Sequence, residues 1–194
     1  MGTVITGDSA QFGWEARLHG PDGQPHGLTG RELCRAAWGG AFDAFGTESA
    51  EEGALVLVAL GPQQDALGAV APPPNAVCMP NLPQVDLLKV GVDLFLTHGG
   101  QNSFMESLAH GTPVVVCPGF GDQVVNSQKA VDLGVGLKVD RPDPDEGEEA
   151  ASAAEYRADV CRSLRGVLCD PAFGASAARC AAQLRAAGGE PRAL

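Results

Sequence analysis

The chain has 194 residues, 44% of them apolar and 19% charged, with a net charge of −11. That length supports one domain with a sizeable core, and the acidic balance argues against a nucleic-acid surface or an anionic membrane as partner. No uninterrupted apolar stretch reaches the length of a bilayer span, and Met1-Gly2-Thr3-Val4 lacks the basic start and apolar region of a signal peptide.

Thr3 to Thr6 is a short β-branched run that ends at Gly7-Asp8-Ser9. Phe12 to Thr29, rich in Gly, Pro and His, reads as a loop with His19 and His26 exposed on it. Gly30 to Phe45 places Leu33, Ala36, Ala37, Phe42 and Phe45 at helical spacing. Ala54 to Leu60 is a continuous apolar run, the pattern of a strand buried on both faces of a parallel sheet. Pro72-Pro73-Pro74-Asn75 is a rigid turn before a short strand at Ala76 to Met79. A short helix is expected at Val85 to Val90, a strand at Asp93 to Thr97 and a helix at Ser103 to His110. A strand at Pro113 to Cys117, a helix at Val124 to Leu133 and a strand at Gly136 to Val139 follow. Residues 140–152 read as an acidic, proline-broken, solvated loop. Residues 153–187 form two alanine-rich helices, Ala153 to Leu168 and Ala172 to Ala187, and the tail from Gly188 is expected to fray.

This alternation predicts an α/β fold: a Rossmann-like parallel sheet with helices on both faces, as a single domain over 1–194 whose core spans about 3–139. Ligands of such sheets bind at the carboxyl ends of the strands, and His98, Asn102, Ser103 and Asp122 all follow strands. The six cysteines form no Cys-x-x-Cys pair, and no His stands at a metal-ligand spacing from them. Reduced core thiols in a cytoplasmic protein are expected, with neither disulfides nor a metal.

The chemistry concentrates between Pro80 and Gln123. Pro80-Asn81-Leu82-Pro83-Gln84 is followed by Val92 to Leu96, an apolar run leading into Thr97-His98-Gly99-Gly100-Gln101-Asn102-Ser103 and then Glu106, Gly111-Thr112-Pro113, Pro118 and Asp122-Gln123. Glycines let a backbone approach an anion, and the first amides of a helix point at it. Asn102 and Ser103 supply compact donors, His98 donates through a ring nitrogen, and Glu106 lies one helical turn beyond Ser103. Plainer readings exist for each: a turn histidine, an exposed helix glutamate, and an Asp122 that serves only as an N-cap. Phe104, Met105 and Leu108 are expected to face the core.

The ordered set from Asn81 to Gln123 resembles the nucleotide-sugar signature of family 1 glycosyltransferases, the UDP-glycosyltransferase and macrolide-glycosyltransferase group. A lone Gly-Gly would be weak, but Pro-Gln, His-Gly-Gly-x-Asn-Ser, Glu, Gly-x-Pro, Pro and Asp-Gln occur together at family spacing. Those enzymes pair two Rossmann-like domains in the GT-B fold, and the carboxyl-terminal one holds the donor. The resemblance implies that the donor is held by Leu82, Gln84, His98, Gly99, Gly100, Asn102, Ser103, Glu106, Asp122 and Gln123. His98, Gly99, Gly100, Asn102 and Ser103 take the diphosphate, Glu106 the ribose and Asp122-Gln123 the sugar, while Gln84 matches a position near the ribose or base. A UDP-sugar is the co-substrate, no cofactor is implied, and inversion at the anomeric centre comes from the resemblance alone.

Two positions depart from plant members. Asn81 and Gln101 stand where those carry tryptophan, and Asn81 cannot stack on a base, although Leu82 still has backbone groups to offer. Family members are roughly twice as long, and their amino-terminal domain binds the acceptor and carries the catalytic base. No catalytic residue is therefore expected here, His19 included. Three arrangements fit: a piece of a full enzyme, the donor half of a split enzyme whose acceptor domain is another chain, or a non-catalytic sugar-nucleotide-binding or protein-interaction module. A dinucleotide oxidoreductase fits poorly, because no Gly-x-Gly-x-x-Gly follows the first strand.

Overall fold

The computed structural model describes residues 3–6, 14–15, 17–19, 23 and 25–188. Its elements are β1 (Thr3–Thr6), β2 (Leu18–His19), β3 (Pro25–His26), α1 (Gly30–Phe45), β4 (Leu55–Ala59), β5 (Ala76–Met79), α2 (Gln84–Val90), β6 (Leu94–Thr97), α3 (Gln101–His110), β7 (Val114–Val116), α4 (Asp122–Asp132), β8 (Gly136–Lys138), α5 (Glu149–Cys169) and α6 (Pro171–Ala187). The Gly7-Asp8-Ser9 turn and the tail beyond Gly188 lie outside the described residues.

Six strands form one parallel sheet in the order β5-β4-β1-β6-β7-β8. Counted by entry into the sheet the order is 3-2-1-4-5-6, the doubly wound arrangement. The winding reverses between β1 and β6, so the turn after β6, which carries His98, stands at the switch point.

The strands are apolar on both sides because both are covered. Leu94, Leu96 and Val115 face α1 and α5, where they pack with Ala36, Ala41, Tyr156, Val160 and Leu164. Phe95, Val114 and Val116 face the other way, against Phe104 and Leu108 of α3, Ala130 of α4 and Ala177 of α6. Trp38 and Phe42 extend the α1 layer over Val56 and Val58.

The link from β4 to β5 is irregular and contains no helix. The guanidinium of Arg35 ties this link down by donating to the carbonyls of Asp65 (2.6 Å) and Ala66 (2.9 Å). The segment read as a loop from Phe12 to Thr29 contains the β2–β3 ladder, which pairs Leu18 with His26. His26 is half-buried and bonds through Nδ1 to Asp143 of the acidic segment, while Arg141 donates to the Leu28 carbonyl. The acidic loop is thus latched at both residues. It also ends earlier than 152, because α5 begins at Glu149; a glutamate and two alanines suit a helix start. Met105 is 37% exposed, since the buried stripe of α3 runs through Phe104, Ser107 and Leu108 and Met105 falls at its edge.

Candidate functional site

The turn between β6 and α3 is built from buried backbone contacts. Gly99 has φ +81°, a left-handed conformation that leaves no place for a side chain; a Cβ there would also lie 2.5 Å from Val116 Cγ1. The Gly99 amide donates to Thr97 Oγ1 (3.1 Å), and the Gly99 carbonyl accepts from Asn126 Nδ2 of α4 (2.8 Å). Both partner side chains are buried. His98 is half-buried and its ring lies over the Gly100 Cα, where an added Cβ would stand 2.6 Å from Nε2.

Gly100 caps α3 without a side chain, and its carbonyl takes the Phe104 amide at 3.0 Å. Of the first-turn amides, Gln101's donates to Asp122 Oδ2 (3.0 Å). Those of Asn102 and Ser103 precede the first intrahelical bond and open the positive end of the helix toward solvent. Asn102 is exposed and Ser103 half-buried.

On the neighbouring element, the Gln84 amide nitrogen donates to Ser103 Oγ (3.1 Å) and to Glu106 Oε2 (2.7 Å). Gln84 opens α2, so this network joins α2 to the first turns of α3 and fixes the Glu106 carboxylate. Leu82 turns its side chain to the core below α2 and gives its carbonyl to the Gln84 amide at 2.8 Å. Asn81 is exposed.

Asp122 is the first residue of α4, and Gly121 is the cap. Its carboxylate serves the amino terminus of α3 instead, which removes the reading of Asp122 as its own helix's N-cap. Gln123 uses its side-chain carbonyl to accept from the amides of Gly119 (2.8 Å) and Phe120 (3.3 Å), and its two N–H donors are not used by that loop. The structure thus gathers Gln84, Ser103 and Glu106 into one hydrogen-bonded network, sets His98, Gly99 and Gly100 in one turn beside it, and links Asp122 to that turn's helix.

Burial pushes the Cys117 thiol at the end of β7 up to about 12, and Tyr156, to which it is hydrogen-bonded, is likewise pushed well above its ordinary value, chiefly by burial. The Cys117 side chain packs in the cluster between the sheet and helices α1 and α5. Among the described residues no group of three or more His, Cys, Asp or Glu could hold a metal ion, and no helix is long and apolar enough to cross a membrane.

Sequence reasoning missed Thr97 and Asn126. Each had a signal: a threonine two residues before a glycine amide at a strand end suits a side-chain turn, and Asn126 stands four residues after Asp122 on the same helix face.

Residues 66–144 match the family model described as UDP-glucuronosyl and UDP-glucosyl transferase. This stretch is similar to the UDP-glycosyltransferases. It contains every residue of the site. Mouse UDP-glucuronosyltransferase 3A1 is 48% identical over 69 residues, 34% of this chain and 13% of that protein. An uncharacterized UDP-glucosyltransferase of Bacillus subtilis, YojK, is 31% identical over 121 residues, 62% of this chain and 27% of that protein. The likeness to solved structures is one of fold. The calicheamicin glycosyltransferase CalG4 superposes with a TM-score of 0.66 at 22% identity, over 99% of this chain and 41% of CalG4. The spinosyn rhamnosyltransferase SpnG, complexed with thymidine diphosphate, gives 0.61 at 20% identity over 95% and 42%. The chain therefore spans less than half the length of each of these proteins. Its architecture is that of the carboxyl-terminal half of the GT-B fold.

Proposed function

We propose that this chain binds the nucleoside diphosphate sugar donor of a glycosyl transfer, with UDP-sugar as the donor class. The observation that carries the reading is the Gln84–Ser103–Glu106 network standing beside the open first turn of α3. A diphosphate needs several N–H donors within a few ångströms, and the turn at His98 to Ser103 offers backbone amides, a ring nitrogen and a hydroxyl together. Glu106 accepts from adjacent ribose hydroxyls, with Gln84 fixing its orientation. Asp122 and Gln123 hold hydroxyls of the sugar. Support comes from the family match over 66–144 and from the shared fold of a thymidine diphosphate complex. Uracil stacking is not provided by Asn81, so the base contributes less than the diphosphate and ribose.

Transfer also requires an acceptor site and a general base. In this reading both come from a further domain, on this or another chain. That domain supplies the wall that excludes water and orients the acceptor, and the 194 residues alone bind donor without efficient transfer. Calorimetry with UDP, UDP-glucose, UDP-N-acetylglucosamine and a thymidine diphosphate sugar tests the proposal. Saturable binding of at least one is expected; no heat from any at millimolar concentration refutes it and leaves a protein-interaction module as the better reading.

A further inference from the structure

We infer that Asn126 is a positioning residue of the diphosphate cradle, acting through the Gly99–Gly100 peptide without touching the donor; this rests on the donor-binding reading above. Asn126 lies in the second turn of α4, is 6% exposed, and gives its Nδ2 to the Gly99 carbonyl at 2.8 Å. A trans peptide plane directs its C=O and the following N–H to opposite sides. Holding the Gly99 oxygen inward against α4 therefore turns the Gly100 amide away from α4, to the open side of the turn. Thr97 Oγ1 holds the preceding plane by accepting the Gly99 amide at 3.1 Å. Each polar group of Gly99 thus ends on a buried side chain. The left-handed residue, which has the widest choice of conformations in the free chain, is left with one.

The placement has a chemical consequence. A flexible Gly-Gly turn would have to be ordered by each incoming diphosphate, and that cost would be subtracted from affinity. With Asn126 and Thr97 in place, the ordering is done by folding. The ribose side of the site depends on Gln84 and Glu106, which are joined to one another and not to Asn126. Loss of Asn126 should therefore reach the diphosphate and spare the nucleoside.

The test uses the full chain and calorimetry with UDP and with uridine, alongside thermal unfolding. For Asn126→Ala the expected result is a loss of about tenfold in UDP affinity, with uridine affinity within about twofold of the wild type. Thr97→Val keeps side-chain volume, removes the acceptor for the Gly99 amide, and should show the same split. Unchanged UDP affinity, or an equal loss for UDP and uridine, overturns the inference. A variant that no longer folds places its role in the core; if both do so, the inference also fails. A wild-type chain that binds no UDP refutes the donor-binding reading itself, which is a different outcome from wild-type binding that Asn126→Ala leaves intact.

Discussion

Gln84 fixes the orientation of the Glu106 carboxylate, because one Gln84 amide nitrogen bonds both Ser103 Oγ and Glu106 Oε2. The task of Glu106 in the account is to accept from neighbouring ribose hydroxyls. UDP should then bind more tightly than 2′-deoxy-UDP, and Glu106→Ala should largely remove the difference, worth on the order of 1 kcal/mol. Competition binding of the two nucleotides reads this directly. Gln84→Ala should weaken UDP by a smaller factor, since it loosens the carboxylate without deleting it. A second residue-scale prediction concerns Cys117. A thiol pushed up to about 12 by burial is almost entirely protonated at pH 8. Brief alkylation of the native chain followed by peptide mass analysis should label exposed Cys169 and leave Cys117 unmodified; rapid labelling of Cys117 would contradict its packing against Tyr156 under α1 and α5.

Helix α5 is clamped to α1 by a bidentate pair, Arg157 Nε and Nη2 to the two Asp43 carboxylate oxygens at 2.6 and 2.7 Å, with Arg165 donating to the Asp43 carbonyl at 2.6 Å. The hydrogen bonds from Arg157 hold the Asp43 carboxyl below its ordinary value against the opposing effect of burial, and the Arg157 and Arg165 charges add to them. A carboxyl depressed in the folded state stabilises above its unfolded value, about 3.9, and that stability is lost as pH falls through the folded one. Because the pair is partly exposed, its contribution is on the order of 1 kcal/mol or less. Asp43→Asn should lower the melting temperature at pH 7 and narrow the difference between pH 7 and pH 3. The same helix pair meets closely at Gly40, where a Cβ would lie 2.7 Å from the Arg157 carbonyl oxygen. Gly40→Ala should destabilise by roughly 1–3 kcal/mol, seen as a melting temperature lower by several degrees; an unchanged value would contradict the α1–α5 contact.

At the scale of the whole molecule, the parallel sheet was legible because its strands are unbroken apolar runs, Leu55–Ala59 and Leu94–Thr97 above all, separated by helical patterns. The elements of the signature were legible because turn glycines and helix starts are local signals. What escaped were contacts between residues far apart in sequence. Asn126 meets Gly99 across 27 positions, and His26 meets Asp143 across 117. Neither pair has a periodicity to betray it. Asp122 shows the same limit, since its residue type suits an N-cap and only tertiary placement sends its carboxylate to α3. Met105 fell outside the core because one position along a helix turns a side chain by 100°, enough to leave the stripe of Phe104 and Leu108. The sheet order then explains why the polar residues converge: β6 and β7 are neighbours, and the turns at their carboxyl ends bring α3 and α4 side by side.

The central claim is that this convergence, at the switch point of the sheet, holds a nucleoside diphosphate. Titration of the isotope-labelled chain with UDP, followed by amide chemical shifts, tests both binding and place. The account predicts saturable shifts concentrated at Gly99 to Ser103, Gln84 and Glu106, with smaller ones at Asp122 and Gln123. An absence of shifts at millimolar UDP, or saturable shifts confined to another face of the sheet, would contradict it.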